Sequence, residues 1–106
     1  MDFEIYEEID EFLKNAQRKI RRLIIKKLRF FSGREKRLLE KSEDIKRLHG
    51  GVYEVIIGPW RILGYLINTT LHLTVIFRKQ SKKTPEKYIH TAMSRGIKIE
   101  QNLNKK

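Results

Sequence analysis

The sequence predicts an α+β protein in which two N-terminal helices precede an antiparallel three- to five-stranded sheet and a C-terminal helix follows it. Three patterns support this prediction: helical periodicity in the first third of the chain, three strand-like runs over residues 52–78, and a helix start at Thr84-Pro85. The chain has 106 residues, of which 40% are hydrophobic and 35% charged. We therefore expect residues 1–106 to form a single domain, because this length leaves no room for a second core.

Apolar residues recur at steps of three and four from Ile9 to Phe31. This spacing is typical of an amphipathic helix, or of two helices in succession, and Ser32-Gly33 indicates where it ends. The extended run Phe3–Tyr6 is a candidate edge strand. Residues 34–49 are polar and charged, which predicts a linker with one helical turn.

Three runs, Val52–Ile57, Trp60–Ile67 and Leu71–Arg78, have the composition of strands. The connections Gly58-Pro59 and Asn68-Thr69-Thr70 are short enough for hairpins, so the runs are predicted to form an antiparallel meander. In the last run apolar and more polar residues alternate. One face of that strand is therefore expected to be core and the other semi-exposed.

The final helix is predicted to begin with Thr84 as N-cap and Pro85 in the first helical position. Gly96 is expected to end this helix at about Arg95, which leaves residues 97–106 as a frayed tail. A cationic loop, residues 79–83, connects this helix to the last strand.

The charge of the chain is strongly positive and unevenly distributed. Lys and Arg number 24 against 13 Asp and Glu, which gives a net charge of +11, yet residues 2–11 contain six acids and no base. From Lys14 to Arg29, eight of sixteen residues are basic and none is acidic. A polyanion is the expected partner, and the basic helical face is predicted to bind it through phosphate contacts. Its residues are Arg18, Lys19, Arg21, Arg22, Lys26 and Lys27.

The composition argues against several classes of function. The absence of cysteine excludes disulfides, thiol catalysis and cysteine-based zinc sites, and the three scattered histidines favour surface positions over a metal centre. No glycine-rich phosphate loop, carboxylate pair or nucleophile triad is apparent, so a kinase, hydrolase or glycosidase has no support. Neither a metal nor a cofactor is expected. Neither a signal peptide nor a membrane span is predicted, which makes the cytoplasm the expected location.

Three motifs in the second half of the chain are specific. They are Gly51-Val52-Tyr53-Glu54, Trp60-Arg61-Ile62-Leu63-Gly64-Tyr65, and the run from Phe77 to Pro85 with its spaced lysines and its Lys83-Thr84-Pro85, followed by Ala92 and Arg95. Together with the element order they resemble the RelE/ParE superfamily of bacterial and phage toxins, most closely its HigB-like, phage-derived Gp49-like branch.

This resemblance implies the toxin of a type II toxin–antitoxin system that acts as a ribosome-dependent, metal-independent mRNA endoribonuclease. Cleavage would use the ribose 2′-hydroxyl against the adjacent phosphate. The catalytic residues it implies are Arg61, Lys79 and Lys83. The implied partners are the ribosome and mRNA, a helix-turn-helix, HigA-like antitoxin whose acidic segment covers the groove, and operator DNA bound through the antitoxin complex.

Three positions depart from the family pattern. Ile56 stands where an arginine usually ends the first motif, Val75 stands where many relatives have histidine, and Gly64 stands where the second motif has tyrosine. These changes remove one cation and one acid/base candidate from the implied site.

The residues themselves give a second basis for assigning roles. Arg61 lies in an otherwise apolar strand, where an unpaired charge is costly, so it faces an open groove or pairs with an acid such as Glu54. Glu54 is more readily interpreted as orienting an arginine than as a base. Tyr65 shares a strand face with Arg61 and is either a stacking platform for a base or a core residue.

Three further cations are candidates for RNA contacts. Arg78 and Lys82 are predicted to be peripheral RNA contacts, and Arg95 reaches the groove or caps the helix end. Two other functions stay open: a ParE-like DNA gyrase inhibitor without nuclease activity, and a non-catalytic basic RNA-binding module. The nuclease and the gyrase inhibitor share one fold, so the fold cannot decide between these two functions.

Overall fold

The computed structural model describes residues 1–105. Its elements in chain order are β1 (Asp2–Ile5), α1 (Glu7–Asn15), α2 (Arg18–Phe31), α3 (Lys36–Lys41), β2 (Ile45–Arg47), β3 (Val52–Ile57), β4 (Trp60–Ile67), β5 (Thr70–Arg78) and α4 (Glu86–Asn104). The predicted α+β class is confirmed. No helix within residues 1–105 is both long and apolar enough to cross a membrane.

The five strands form one mixed sheet in the order β1-β5-β4-β3-β2. Strands β2 to β5 pair antiparallel, as predicted for the meander, and β3 and β4 have the predicted bounds. The predicted wholly antiparallel sheet is wrong, because β1 pairs parallel with β5, from Asp2 opposite Thr70 to Ile5 opposite Leu73. The N-terminal segment reaches this edge as a strand, as the run Phe3–Tyr6 predicted.

Helices cover both faces of the sheet. Helices α1 and α2 bury Ile9, Leu13 and Ile24 against one face, while Ile89 and Ala92 of α4 lie against the other. The predicted half-exposed face of β5 is therefore wrong: His72 and Thr74 are buried. A register shift opposite Leu63 and Gly64 places one extra residue in β5, and this bulge changes which side chains face α4.

The helical periodicity of the first third of the chain corresponds to two helices, one of the two predicted arrangements. The break lies at Ala16 and Gln17, which have extended ψ angles of 153° and 146°. The predicted linker over residues 34–49 is only partly correct, because α3 and β2 lie within it. Leu39 and Ile45 anchor these two elements in the core, and the pairing of β2 with β3 adds main-chain hydrogen bonds.

The last helix departs from the prediction at both ends. It begins at Glu86 with Pro85 as its N-cap and no side-chain cap, so the predicted Thr84 cap is wrong. It also continues through Gly96 to Asn104. The predicted frayed tail is therefore wrong over residues 97–104, and residue 106 lies outside the described part of the chain. Gly96 does not end the helix; it allows α4 to approach β4, where Tyr65 lies directly beneath it.

Replacing Gly96 with alanine should destabilise the fold by about 1–3 kcal/mol, because it overpacks this helix–strand contact. A Cβ atom at this position would lie 2.2 Å from Cβ of Tyr65, an atom that cannot rotate away. Thermal or denaturant unfolding measures the loss. The control is Ser94→Ala, an exposed position on the same helix, which should stay within about 0.5 kcal/mol of the parent. Equal stability of the two variants would contradict the close approach.

Candidate active site

A cationic groove opens at the end of the sheet where β5 leads into α4. It has a volume of about 160 Å³ and is lined by residues of β2, β3, β4 and β5, the loop of residues 79–85 and the first turn of α4. Seven cationic side chains contribute to its lining: Lys46, Arg61, Arg78, Lys79, Lys82, Lys83 and Lys87. Glu54 is the one carboxylate among the lining residues. The groove has the charge and the open shape that an anionic chain requires.

Arg61 lies at the buried inner side of this groove, with a relative exposure of only 9%. Its Nη1 atom donates hydrogen bonds to the carbonyl oxygens of Gly58 at 2.7 Å and Trp60 at 3.0 Å. Its Nε atom is 3.9 Å from Oε1 of Glu54, beyond hydrogen-bonding distance. Main-chain carbonyls thus fix the guanidinium, and both predicted surroundings, groove and acid, are present around it.

The β3–β4 turn positions the arginine and the start of the lysine loop together. Gly58 has a φ of +56°, the left-handed conformation that glycine adopts without steric cost and that suits the first central residue of a tight hairpin. The next residue, Pro59, accepts a hydrogen bond of 2.8 Å from the backbone N–H of Lys79. One short turn therefore links the Arg61 side chain to the backbone from which the loop departs.

Glu54 joins the middle of β3 to the other end of that loop. Its Oε1 atom accepts a hydrogen bond of 2.8 Å from the hydroxyl of Thr84, and the residue is 5% exposed. The hydroxyl predicted to cap α4 bonds across the groove instead, because the helix begins one residue later than predicted, with Pro85 as N-cap. The loop that carries Lys79, Lys82 and Lys83 is thus anchored at both ends.

Two aromatic side chains of the groove lining were not among the predicted site residues. The rings of Phe77 and Tyr88 are stacked with centroids 4.2 Å apart and an interplanar angle of 10°. A partly exposed ring pair beside a phosphate-binding surface is the arrangement on which an unpaired base can stack. Phe77 was visible in the sequence motif, but its pairing with Tyr88 depends on how α4 docks on β5.

The structure brings Arg61, Lys79 and Lys83 to one groove, with Arg78 and Lys82 among its lining residues. It places two other candidates elsewhere. Tyr65 lies between Gly51 and α4, outside the groove, as a packing residue. The predicted alternatives for Arg95 are both wrong, since it neither lines the groove nor caps a helix end. It donates to the Thr74 carbonyl at the β5 bulge and to Glu8 Oε1 at 2.9 Å.

The basic side chains of α2 lie on the other side of the sheet from α4. Arg18, Lys19, Arg22, Lys26 and Lys27 are exposed, and Arg21 is partly buried. The α2 residue Leu23 would lie 3.8 Å from a Cβ at Gly58, so this helix reaches the turn that fixes Arg61. Close to the end of α2, the ring of Phe30 is 56% exposed and lies beneath the Arg34 guanidinium. The basic helix and the groove therefore adjoin at one end of the sheet.

His49 and His90 are exposed, as predicted, and both lie beside Glu86, but His72 does not have the predicted surface position. It is 4% exposed, and its Nδ1 atom is 2.8 Å from the hydroxyl of Tyr6. Burial raises the pKa of the Tyr6 phenol, and the nearby Glu4 carboxylate adds to this effect. Across residues 1–105, no three His, Cys, Asp or Glu side chains are grouped so that they could hold a metal ion.

A family comparison agrees with this architecture. The family model described as "Phage derived protein Gp49-like (DUF891)" matches residues 11–96, which include the basic helix and all the residues that line the groove. No curated protein matches the chain significantly. The matched range covers most of the chain, so the chain belongs to the Gp49-like family of phage-derived proteins, within the RelE/ParE-like toxin superfamily.

Proposed function

We propose that this protein is the toxin of a type II toxin–antitoxin system, of the HigB-like kind, and that it cleaves mRNA on the ribosome. One observation supports this proposal most strongly: seven cations converge on a groove whose buried arginine is fixed by main-chain carbonyls. The Gp49-like family is associated with toxins of such systems.

The groove contains the groups that RNA cleavage without a metal requires. A preorganised guanidinium stabilises the negative charge that develops on the phosphorane, since its rigid fork matches phosphate oxygens. Ammonium groups of Lys79 and Lys83 add to that stabilisation and can donate a proton to the leaving 5′-oxygen. The stacked pair of Phe77 and Tyr88 would hold a neighbouring base, and so would align the 2′-hydroxyl with the phosphate.

The exposed bases of α2 serve a second purpose in this proposal. They are not among the groove's lining residues, so they cannot act on the scissile phosphate, but their helix contacts the turn that fixes Arg61. We assign them to docking on ribosomal RNA by phosphate contacts, which are strong and independent of sequence. Arg78 and Lys82 at the groove rim would extend this contact to the mRNA.

A cationic groove of this kind also implies a neutralising partner. An acidic segment of an antitoxin, of the helix-turn-helix and HigA-like kind, would cover the groove by charge complementarity. The same complex would bind operator DNA through the antitoxin. Because every proposed contact partner is inside the cell, we place the toxin in the cytoplasm.

The proposal is tested by expressing the chain alone and together with the product of the adjacent gene. Growth arrest that the second gene relieves, with mRNA cut in the arrested cells, is the expected result. A parallel assay of purified gyrase distinguishes the ParE-like alternative. If gyrase supercoiling is inhibited and mRNA stays intact, the protein is a gyrase inhibitor and not a nuclease. If the protein binds RNA but neither cuts mRNA nor inhibits gyrase, it is a basic RNA-binding module.

A further inference from the structure

We propose that the carboxylate of Glu54 is the general base that takes the proton from the ribose 2′-hydroxyl. This inference rests on the nuclease function proposed above and assigns the proton acceptor that the reaction needs. It departs from the role that the sequence favoured for Glu54, that of orienting Arg61.

Arg61 does not depend on Glu54 for its orientation. Its Nη1 atom is already bonded to two carbonyl oxygens of its own hairpin, whereas the shortest contact recorded between the two side chains is the 3.9 Å from Nε to Oε1. At this distance the charges attract each other without a directional hydrogen bond. Glu54 therefore provides charge balance for the arginine while its own hydrogen-bonding capacity is used elsewhere.

One of the two carboxylate oxygens is free to act. Oε1 accepts the hydroxyl of Thr84, whereas Oε2 accepts no hydrogen bond from residues 1–105. Within that range, the hydroxyl of Thr74 is the one buried side-chain polar atom that lacks a partner. Because Oε2 lacks a partner and yet is not one of these fully buried atoms, it keeps some contact with solvent. Glu54 lines the groove, so a ligand bound there can reach this oxygen.

The other groove side chains are poorer proton acceptors. The seven cations present ammonium and guanidinium groups, which donate hydrogen bonds. The three histidines are not among the lining residues. A carboxylate with one oxygen fixed by a hydrogen bond and the other free to accept one is the group best suited to accept a proton in this groove.

The step balances as a simple transesterification. Glu54 Oε2 takes the proton of the 2′-hydroxyl while the oxygen lone pair forms a bond to phosphorus. The bond from phosphorus to the 5′-oxygen breaks, and its electron pair takes a proton from a groove lysine. The products are a 2′,3′-cyclic phosphate and a 5′-hydroxyl, and exchange with water returns the proton from Glu54 to the lysine.

The test is single-turnover cleavage of mRNA on programmed ribosomes, measured for the parent and three variants over a range of pH. Glu54→Gln keeps an oxygen that can accept the Thr84 hydroxyl but removes the base. Thr84→Val removes that hydrogen bond and keeps the carboxylate. Glu11→Gln, on the exposed side of α1, makes the same charge change away from the groove. Thermal unfolding of each variant is measured in parallel.

We expect Glu54→Gln to cleave mRNA roughly 100-fold more slowly than the parent. We also expect it to lose the acidic limb of the pH profile, which is the fall in the parent's rate at low pH, where a carboxylate base becomes protonated. Thr84→Val should lose at most several-fold and keep that limb. A Glu54→Gln variant that is slow but retains the limb would make Glu54 a positioning residue and would overturn the proposal. A parent rate without an acidic limb would overturn it even if Glu54→Gln does not fold. A parent that cuts no mRNA contradicts the nuclease function itself, which separates the two failures.

Discussion

Replacing Arg61 with alanine should slow mRNA cleavage on the ribosome by roughly 100- to 1000-fold, the largest effect expected of any single change. The loss corresponds to about 3–4 kcal/mol of transition-state stabilisation. The reason is geometric: the guanidinium is prearranged by two carbonyl oxygens in a buried site, where its charge is less screened than in water. Single-turnover rates at saturating ribosome concentration measure this loss, and ribosome affinity should change little.

Two variants control this experiment. Arg61→Lys keeps the charge, but its single ammonium cannot bond both carbonyl oxygens and also bind the phosphate bidentately as a guanidinium does. Most of the rate loss seen with Arg61→Ala should therefore remain. Arg37→Ala, at an exposed position of α3, removes a cation remote from the groove and should leave the rate unchanged. Because Arg61 is buried, thermal unfolding must show that its variants are folded. Cleavage at the parent rate by folded Arg61→Ala would contradict the assignment.

Reversing two charges on α2 should have the complementary effect. The double variant Arg21→Glu, Arg22→Glu is expected to weaken ribosome binding roughly 100-fold at low salt and to lower the slope of log affinity against log salt by about two. The catalytic rate of the bound complex should stay near that of the parent, since neither residue lines the groove. Binding titrations at several salt concentrations, paired with single-turnover cleavage, separate the two quantities.

The matched control for this pair is Glu7→Lys, Glu11→Lys on α1, which changes the charge by the same amount in the opposite direction. It should not weaken binding. If reversal on α2 leaves both the affinity and its salt dependence unchanged, then the basic helix is a solvated surface and the docking assignment is wrong.

The sequence predicted the parts of the fold that depend on local patterns. The strand bounds Val52–Ile57 and Trp60–Ile67 are confirmed, because strand-like composition and turn residues are local signals. The parallel pairing of β1 was not predictable, since it joins residues almost seventy positions apart. The helix end at Gly96 was wrongly predicted. This glycine lies inside the helix, where the absence of a side chain allows close contact with Tyr65, and such tertiary contacts override intrinsic propensity.

The same distinction applies to the groove. A charged residue in an apolar strand selected Arg61, and the resemblance to the family's spaced lysines selected Lys79 and Lys83; the structure brings all three to one groove. The hydrogen bond from Thr84 to Glu54 spans thirty residues, and the Phe77–Tyr88 stack depends on how α4 meets the sheet. Their assembly depends on strand register and helix docking, which residue spacing does not specify.

The chemistry of the cleaved ends tests the nuclease most directly. Purified protein is added to ribosomes programmed with a labelled mRNA, and the termini of the fragments are identified with and without ribosomes. We predict 2′,3′-cyclic phosphate and 5′-hydroxyl ends that form only on the ribosome and are strongly reduced by Arg61→Ala. Intact mRNA with the parent protein, or fragments with 5′-phosphate ends, would contradict a nuclease that uses the 2′-hydroxyl in this groove.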